Sequence, residues 1–321
     1  MRISLVTPAG VKSRNGNRTT AERWSRFLRQ LGHGVVVEET WGEGCSDLMI
    51  ALHARRSHSS IGRYAAAYPD HPLVVALTGT DLYRDIRFDA SALDSLELAT
   101  RLVVLQEAGL TELSPQHRAK VRIIYQSAEP IHPRPPAKTY FDVCVIGHLR
   151  AEKDPFRTAL AARLLPHASR VRVTHVGKAR SEEFAEQAQA HTQNNPRYRW
   201  LGELPRWQVR RLLSRARLLV QSSIMEGGAN AVSEALAAGV PVIASDVPGN
   251  VGVLGEAYPG YYPVGDEEAL ARLLQRAEAD AGYYALLEKS CADRRHLTMP
   301  ERERDALRGL LEEVSCYLRA E

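Results

Sequence analysis

The chain has 321 residues, 44% of them hydrophobic and 25% charged, which is the balance of a protein with a folded core. Its length favours two domains of ordinary size. The formal net charge of +4 is small for this length and excludes a dedicated nucleic-acid binder, whose basic residues would be denser and clustered. Pockets that bind anionic phosphates remain compatible with it.

The sequence also lacks the signals of export, membrane insertion and metal binding. The first apolar run ends at Pro8 and no small-residue cleavage site follows. No apolar run reaches the roughly 18 residues that span a bilayer. Four cysteines, Cys45, Cys144, Cys291 and Cys316, are far apart and form no CxxC pair. We therefore expect a cytoplasmic protein without a zinc site, a disulfide framework or stable membrane insertion.

The first part of the chain alternates short apolar runs with helical spacing. Trp24, Phe27, Leu28 and Leu31 recur at helical intervals and predict a helix over 19–31. The other predicted elements here are strands at 2–7, 35–37, 48–52, 73–77, 102–105 and 122–125 and a helix near 59–68. This alternation indicates a parallel sheet with helices on both faces.

The stretch 129–137 contains four prolines in nine residues. Proline removes a backbone donor and fixes φ, so neither a helix nor an inner strand continues through it. We interpret it as a linker between domains at 1–135 and 136–321, with the terminal helix a candidate to return to the first domain.

After the linker the alternation restarts. The predicted strands are 141–146, 170–176, 198–201, 218–221 and 240–244, and the predicted helices are 155–165, 181–192, 205–215, 229–238 and most of the tail from Glu267. The sequence therefore predicts an α/β protein of two Rossmann-like, doubly wound domains that face each other across a cleft. The carboxyl ends of both sheets would open onto that cleft, where such folds bind ligands.

The strongest functional signal is residues 221–249, QSSIMEGGANAVSEALAAGVPVIASDVPG. A strand ends there, the chain passes Gly227–Gly228, and a helix begins. The amides at a helix start are unpaired and lie at the positive end of the dipole, so they suit a diphosphate. The predicted donor-binding residues of this loop are Gly227, Gly228, Ala229 and Asn230.

Glu226 and Glu234 lie on either side of seven intervening residues in the same segment. Glu226 is expected in the loop, and Glu234 on the helix, where it could accept hydrogen bonds from a ribose diol as carboxylates do in dinucleotide folds. The alternative is that both are solvated surface glutamates. Their position between the end of a strand, with a double glycine close by, and the following Ala-Ala-Gly-Val-Pro-Val turn favours the site.

A second segment, VIGHLRAEKDP at 145–155, follows a predicted strand. The strand delivers Gly147, a donor-binding candidate, and places Arg150 and Lys153 just beyond its carboxyl end. Cations there would neutralise the charge that builds on a departing nucleotide diphosphate. The alternative is an ordinary exposed basic loop.

Basic, hydroxyl and glycine residues also follow several strands of the first half. Guanidinium groups match phosphate oxygens, so these loops predict an anionic acceptor. The acceptor-binding candidates are Lys12, Arg14, Gly16, Asn17, Arg18, Thr19, Arg55, Arg56, Thr78, Gly79, Thr80, Asp81 and Arg84. His53 joins Glu226, Lys153 and Arg150 as a catalytic candidate, although a lone histidine is more often structural.

With its GVPVIAS strand, the segment that carries Glu226 and Glu234 resembles the GT4-like glycosyltransferases of GT-B fold. The resemblance implies that Glu226 contacts the donor sugar and Glu234 the ribose. The family's Gly-Arg-Leu…Lys-Gly phosphate motif corresponds to Gly147-His148-Leu149 and Lys153-Asp154. His148 stands where the family has arginine, and Arg150 is the candidate replacement.

Three segments, SRNGNRTTAERWSRFLRQLGH, LTGTDLYRDI and VIGHLRAEKDPFRTALAARLLP, extend the resemblance over nearly all of the chain to the selenosugar synthase subgroup of selenoneine biosynthesis. This implies transfer of a sugar, N-acetylglucosamine in the first instance, from a UDP-sugar to selenophosphate, with release of UDP and then phosphate. UDP-sugar is then a co-substrate and no cofactor is permanently bound.

Other functions remain open at this stage. The chain could be a GT4-like hexosyltransferase for another small acceptor, a non-catalytic nucleotide-sugar binding protein, or a UDP-sugar epimerase. A long apolar or carbohydrate-lined acceptor groove would favour the first of these, and loss of the acidic pair the second. No DxD-type carboxylate cluster stands beside the donor candidates, so no metal is expected.

Overall fold

The computed structural model describes residues 1–316 and contains, within them, two six-stranded sheets whose strands are all parallel. The strands are β1 (Arg2–Val6), β2 (Gly34–Glu38), β3 (Leu48–Leu52), β4 (Leu73–Ala76), β5 (Arg101–Val104), β6 (Val121–Ile123), β7 (Phe141–Ile146), β8 (Val171–Val176), β9 (Tyr198–Trp200), β10 (Leu218–Gln221), β11 (Val242–Ser245) and β12 (Tyr261–Tyr262).

The α-helices connect these strands and cover the sheets. They are α1 (Gly16–Gln30), α2 (His58–Ala67), α3 (Thr80–Tyr83), α4 (Ala90–Leu98), α5 (Pro115–Arg118), α6 (Arg157–Arg163), α7 (Glu182–Asn194), α8 (Arg206–Leu213), α9 (Asn230–Ala238), α10 (Pro248–Leu254), α11 (Glu267–Ala279), α12 (Ala281–Arg294) and α13 (Pro300–Ser315). Short 3₁₀ turns occur at Asp85–Arg87, Glu107–Glu112, Ala151–Lys153 and Arg295–Thr298. Of the predicted helical tail, residues 317–321 lie outside the described residues.

The first compact unit consists of residues 1–126 and helix α13. Its sheet has the order β2-β1-β3-β4-β5-β6. Every residue of β3 and β4 is buried, as expected for parallel strands covered on both faces. Leu307, Leu310, Leu311 and Val314 of α13 belong to the same apolar core as β1 and β3.

A buried ion pair ties α13 to α1 within this unit. The Glu303 carboxylate accepts hydrogen bonds from Arg23 Nε and Trp24 Nε1, both at 2.7 Å. Its side chain is fully buried, so it is screened from water. Glu313 reaches β5 and β6 through Arg101 and Arg122. Charge pairing therefore supplements the apolar contacts that hold this last helix to the first sheet.

The second unit consists of residues 127–299, and its sheet has the order β12-β11-β10-β7-β8-β9. Alternating strands and helices build it as they build the first, and the predicted doubly wound α/β fold is confirmed. The sequence pattern did not predict α3, α5 and β12, which are too short to complete a recognisable period, and it did not predict α4 or α10.

The proline-rich stretch belongs with the second unit, so the division at Gln126–Ser127 precedes the predicted boundary at 135. Its backbone is hydrogen-bonded there: Ala128 N donates to Thr298 O, Ile131 N to Ala237 O and Arg134 N to Ser214 O. The prolines stop regular structure, but the residues between them still find partners.

Each sheet contains a point at which the strand order reverses. In the first sheet, β2 and β3 lie on opposite sides of β1, so the order reverses there. In the second sheet, the order changes between the adjacent strands β7 and β10. Helices on either side of such a point leave a crevice beyond the carboxyl ends of the strands, where open α/β sheets bind ligands. The loops after β7 and β10 therefore lie where the topology favours a ligand site.

Candidate functional site

The loops that follow β7 and β10 meet at the switch point of the second sheet. They and the end of β8 line a small pocket, whose polar lining includes Gly147, Lys153, His175, Gln221, Ser222 and Ser223. Two of the segments singled out in the sequence, 145–155 and 221–249, thus converge on one place, as parallel topology requires of loops at the same sheet edge.

Lys153 and Glu226, predicted independently from the two segments, form an ion pair with each other. Their side chains are 21% and 11% exposed, so the pair is mostly withdrawn from water. The same carboxylate oxygen, Oε2, accepts from Gln221 Nε2 at 3.0 Å and from Ser223 Oγ at 3.2 Å. A buried carboxylate needs such donors, because a buried charge without partners costs roughly several kcal/mol of stability. The site therefore presents a fixed cation beside a well-held anion.

The Lys153 loop is fastened to the loop after β10 by its backbone. Ser222 Oγ contacts the carbonyl oxygens of Lys153 and Asp154, each at 2.9 Å. Ile224 N donates to Glu152 O at 3.0 Å. These contacts set the position of the Lys153 backbone independently of its ammonium group.

Asp154 lies in the left-handed region, with φ 41° and ψ 61°. Glycine adopts this conformation freely, whereas other residues meet a steric penalty there. Arg157 Nε donates to the Asp154 carboxylate at 2.7 Å, and Arg157 also pairs with Glu267. This accounts for the departure from the Lys-Gly pattern: aspartate tolerates the turn and its side chain is held by an arginine.

Two glycines that sequence reasoning missed allow the loops to approach. A β-carbon on Gly249 would lie 1.8 Å from Glu226 O, and one on Gly177 would lie 1.8 Å from Gly147 O. Real β-carbons essentially never come so close, so both positions require glycine unless the loops shift. Only the packed structure reveals this constraint: Gly249 ends the 221–249 segment and Gly177 follows β8, and nothing in the local pattern around either glycine marks the contact.

His175 is a further buried group at the site that the sequence did not reveal. It lies 1% exposed on β8, with Nε2 3.1 Å from Gly147 O and Nδ1 2.8 Å from the Tyr198 hydroxyl. Burial lowers its pKa to about 4, outweighing the opposing hydrogen bond to Gly147. A neutral ring donates Nε2–H to the carbonyl and accepts from the phenol, so His175 anchors Gly147.

Helix α9 begins beside the ion pair, after the buried residues Gly227, Gly228 and Ala229. Its N-cap is Ala229, whose side chain offers no capping oxygen, and no acidic residue lies in its first turn. Asn230 opens the helix and Glu234 follows one turn later on the same face. The helix start therefore has the polarity that favours an anion.

Glu234 is 16% exposed, and its carboxylate lies 4.0 Å from a guanidinium nitrogen of Arg206, the first residue of α8. Arg150 is half-buried and lies 3.9 Å from Glu152, while His148 Nδ1 accepts from Lys178 N at 3.0 Å. His148 thus ties the β7 loop to the β8 loop through its ring. The roles proposed for Glu234 and Arg150 stay predictions.

In the first unit, His53 and Asp81 join the loops after β3 and β4. The fully buried Asp81 carboxylate accepts from the backbone nitrogens of Ala54, Thr78 and Gly79 at 2.9–3.0 Å. His53 has φ 74° and a ring 3.0 Å from Thr80 Oγ1, and Nδ1 accepts from Arg56 N at 3.3 Å. Burial is the largest influence on the pKa of His53, and it lowers that pKa.

Two of the predicted acceptor arginines are engaged by one carboxylate. Arg55 and Arg84 each donate from Nε to the buried Asp85 at 2.9 Å. Burial raises the pKa of Asp85, but the hydrogen bonds and charges of Arg84 and Arg55 outweigh it and the net pKa is below its usual range. Part of the positive charge of these loops is therefore already balanced within the unit.

The remaining acceptor candidates gather around the start of α1. Asn15 caps the helix by accepting from Arg18 N at 3.0 Å, and Gly16, Asn17 and Thr19 fall in the first turn. Arg18 Nε pairs with Glu22 at 2.8 Å, while its buried Nη1 has no hydrogen-bond partner among residues 1–316. Lys12 and Arg14 are exposed in the preceding loop.

Within 1–316, no group of three or more histidine, cysteine, aspartate or glutamate side chains is arranged to hold a metal ion. None of the helices in that range combines the length and apolarity needed to cross a bilayer.

Comparison with known structures identifies the architecture. HepE from Anabaena, solved in complex with UDP and glucose, is 16% identical and superposes with a TM-score of 0.79, covering 98% of this chain and all of that one (100%). Sucrose-phosphate synthase from Thermosynechococcus elongatus is 17% identical with a TM-score of 0.80, covering 98% and 99%. At these identities the likeness establishes the fold, which is GT-B as predicted.

Sequence comparison gives the family. A protein of Xenopus tropicalis described as glycosyltransferase 1 domain-containing protein 1 is 22% identical over 283 residues, covering 78% of this chain and 81% of that protein. The family model for glycosyl transferases group 1 matches residues 128–293, just over half of the chain, including both loops of the switch point. The chain therefore belongs to the glycosyl transferases group 1 family.

Proposed function

We propose that this glycosyltransferase transfers a sugar, with N-acetylglucosamine as the first candidate, from a UDP-sugar to selenophosphate. The observation that carries the donor half of the proposal is the convergence of Lys153, Glu226 and the start of α9 at one switch point. HepE, which shares the fold, has been solved with UDP and glucose, and this supports the choice of nucleotide.

In this proposal the diphosphate is held by Lys153, by Arg150 and by the amides that follow Gly227. Helix starts and ammonium groups both stabilise phosphate charge. Glu234 accepts hydrogen bonds from the ribose, and Glu226 accepts hydrogen bonds from the hydroxyl groups of the sugar. Because charge on the diphosphate grows as the glycosidic bond breaks, groups fixed beforehand around it lower the barrier directly.

The chemistry requires little from a general base. The selenium atom of selenophosphate supplies the electron pair that forms the new bond to the anomeric carbon. The bond from that carbon to the β-phosphate oxygen breaks, and UDP leaves with its electron pair. Water then cleaves the selenium–phosphorus bond, which releases phosphate and leaves a selenium-bearing sugar. The enzyme therefore accelerates the reaction by positioning the two substrates and by stabilising the leaving group.

Support for an anionic acceptor comes from the start of α1. The first turn contains no acidic residue, and Arg18 brings a buried guanidinium nitrogen without a partner among the described residues. Lys12 and Arg14 stand in the exposed loop before it. A small trianion such as selenophosphate would be attracted by these groups and by the helix dipole.

A second candidate is transfer to a neutral hydroxyl acceptor. This candidate is favoured because Arg55 and Arg84 both form ion pairs with Asp85, which leaves less uncompensated positive charge in the loops after β3 and β4. We also propose that the protein works without a metal, in the cytoplasm, where its unpaired cysteines would stay reduced.

The test is mass spectrometry of the products formed from UDP-N-acetylglucosamine with selenophosphate, with phosphate, or with no acceptor, each in the presence of a chelator. The proposal predicts UDP and a selenium-containing sugar in the first mixture alone. Release of UDP that is equal in all three mixtures would contradict the selenophosphate acceptor. No release of UDP with selenophosphate, nor with any of a further set of sugar acceptors, would contradict the transferase.

A further inference from the structure

Gln221 is a buried amide at the end of β10 whose contacts are directed to the Glu226 carboxylate. It is 4% exposed. Its Nε2 donates to Glu226 Oε2 at 3.0 Å and to Ser223 Oγ at 2.9 Å, and Ser223 Oγ donates in turn to the same carboxylate oxygen at 3.2 Å. Gln221 and Ser223 thus form a small network aimed at one atom.

The same oxygen is the partner of Lys153, and this creates a conflict for donor binding. A diphosphate held by Lys153 draws the ammonium group toward phosphate oxygens and away from Glu226. The Glu226 side chain is only 11% exposed, so water replaces the lost cation poorly. Removing one partner of a buried ion pair is strongly unfavourable unless other donors remain.

We propose that Gln221 is a positioning residue for donor binding: it holds and compensates the Glu226 carboxylate when Lys153 turns to the diphosphate. The inference rests on the proposed function. Ser223 assists through the hydroxyl that Gln221 orients. Hydrogen bonds to a charged group are about twice as strong as those between neutral groups, which suits an amide to this task. The carboxylate is then already in place when the sugar arrives.

The test is a double-mutant cycle that measures the dissociation constant of UDP by calorimetry. The variants are Gln221→Met, Glu226→Gln and the two combined, with thermal unfolding as a check that each folds. Methionine keeps the length of glutamine without its donors. The proposed effect acts only through the charge of Glu226. As a single substitution, Gln221→Met is therefore expected to weaken UDP binding about tenfold. In the Glu226→Gln background it is expected to change binding less than about twofold.

Equal weakening in both backgrounds would overturn the inference, because it would show that Gln221 merely supports the loop. No weakening in the unaltered background would overturn it as well. If Gln221→Met does not fold, Ser223→Ala serves in the same cycle, with about threefold weakening expected only when Glu226 is charged. Failure of the unaltered protein to bind UDP would overturn the proposed donor together with this inference, whereas either of the first two outcomes would overturn the inference alone.

Discussion

The α-carbon of Gly249 lies directly against the backbone carbonyl of Glu226, so close that a β-carbon would lie 1.8 Å from that oxygen. The clash is with backbone, which a change of rotamer cannot relieve. Glu226 owes its position as much to this contact on its backbone as to the donors around its carboxylate.

We therefore predict that Gly249→Ala displaces the Glu226 loop and lowers kcat/KM by on the order of 100-fold, since misplacement of a substrate-positioning group by about 1 Å costs that much. Steady-state kinetics of the purified variant measures this. Gly309→Ala is the matched control, because its β-carbon meets nothing within 4 Å and it lies in the interior of α13. The control should keep full activity; a Gly249→Ala enzyme as active as the control would refute the packing argument.

Glu234→Gln is expected to weaken UDP binding by about 3 kcal/mol, on the order of 100-fold, if the carboxylate accepts hydrogen bonds from both ribose hydroxyls. Glutamine keeps the shape but removes the charge and half of the accepting capacity. Calorimetry with UDP measures the change, and Glu186→Gln on the exposed face of α7 is the control. Unchanged affinity in Glu234→Gln would remove the ribose role.

Asp154 offers a test of backbone strain beside Lys153. Both Asp154→Ala and Asp154→Gly lose the Arg157 hydrogen bond, but only alanine keeps the penalty of φ 41°. We predict that the alanine variant is less stable than the glycine variant by about 1 kcal/mol, measured by urea unfolding. Equal stabilities would show that the left-handed turn is not the constraint.

The buried His175 predicts a pH dependence of stability. Its pKa falls from 6.5 to about 4 on folding, because burial disfavours the charged ring. Between those values the unfolded chain binds the proton that the folded protein excludes, so the histidine's contribution is present in full above pH 6.5 and is lost as pH falls toward 4. The loss amounts to about 3 kcal/mol.

The variant His175→Gln retains a donor for Gly147 O but cannot titrate. Subtracting its free energy of unfolding from that of the unaltered protein, pH by pH, cancels the other titrating groups. The difference should be flat above pH 6.5 and change steadily below it. A difference that stays flat down to pH 4 would mean that His175 is not held neutral.

The ion pair that fastens α13 predicts a stability effect in the first unit. Glu303→Ala removes the carboxylate that pairs with the buried Arg23 at 2.7 Å and is expected to destabilise the protein by about 3–5 kcal/mol. Replacing both residues with methionine should recover much of that loss. Chemical denaturation of the single and double variants checks this, and a double variant no better than Glu303→Ala would contradict it.

The sequence predicted what depends on local pattern. Alternating apolar runs indicated two parallel sheets, and strand ends followed by Gly227 and by Lys153 indicated loops at a sheet edge. That the loops carrying Lys153 and Glu226 meet follows from topology, since β7 and β10 are neighbours. The resemblance of the Glu226 segment to GT4-like enzymes gave the family, which the family model confirms.

What the sequence could not predict depends on packing between distant segments. The need for Gly249 and Gly177 arises from backbones that approach only in the folded unit. His175 resembles any interior strand residue until its contacts are seen. Asp85 was not singled out, although it takes up both Arg55 and Arg84, because a single carboxylate in a charged stretch gives no sign of burial.

The most direct test of the central claim is hydrogen–deuterium exchange of the full chain with and without UDP. If the nucleotide is held at the switch point of the second sheet, exchange should slow in peptides that cover residues 147–153 and 226–234, where the amides meet the diphosphate and ribose. Protection that appears only in residues 1–126, or none at all under conditions where UDP is bound, would contradict the account.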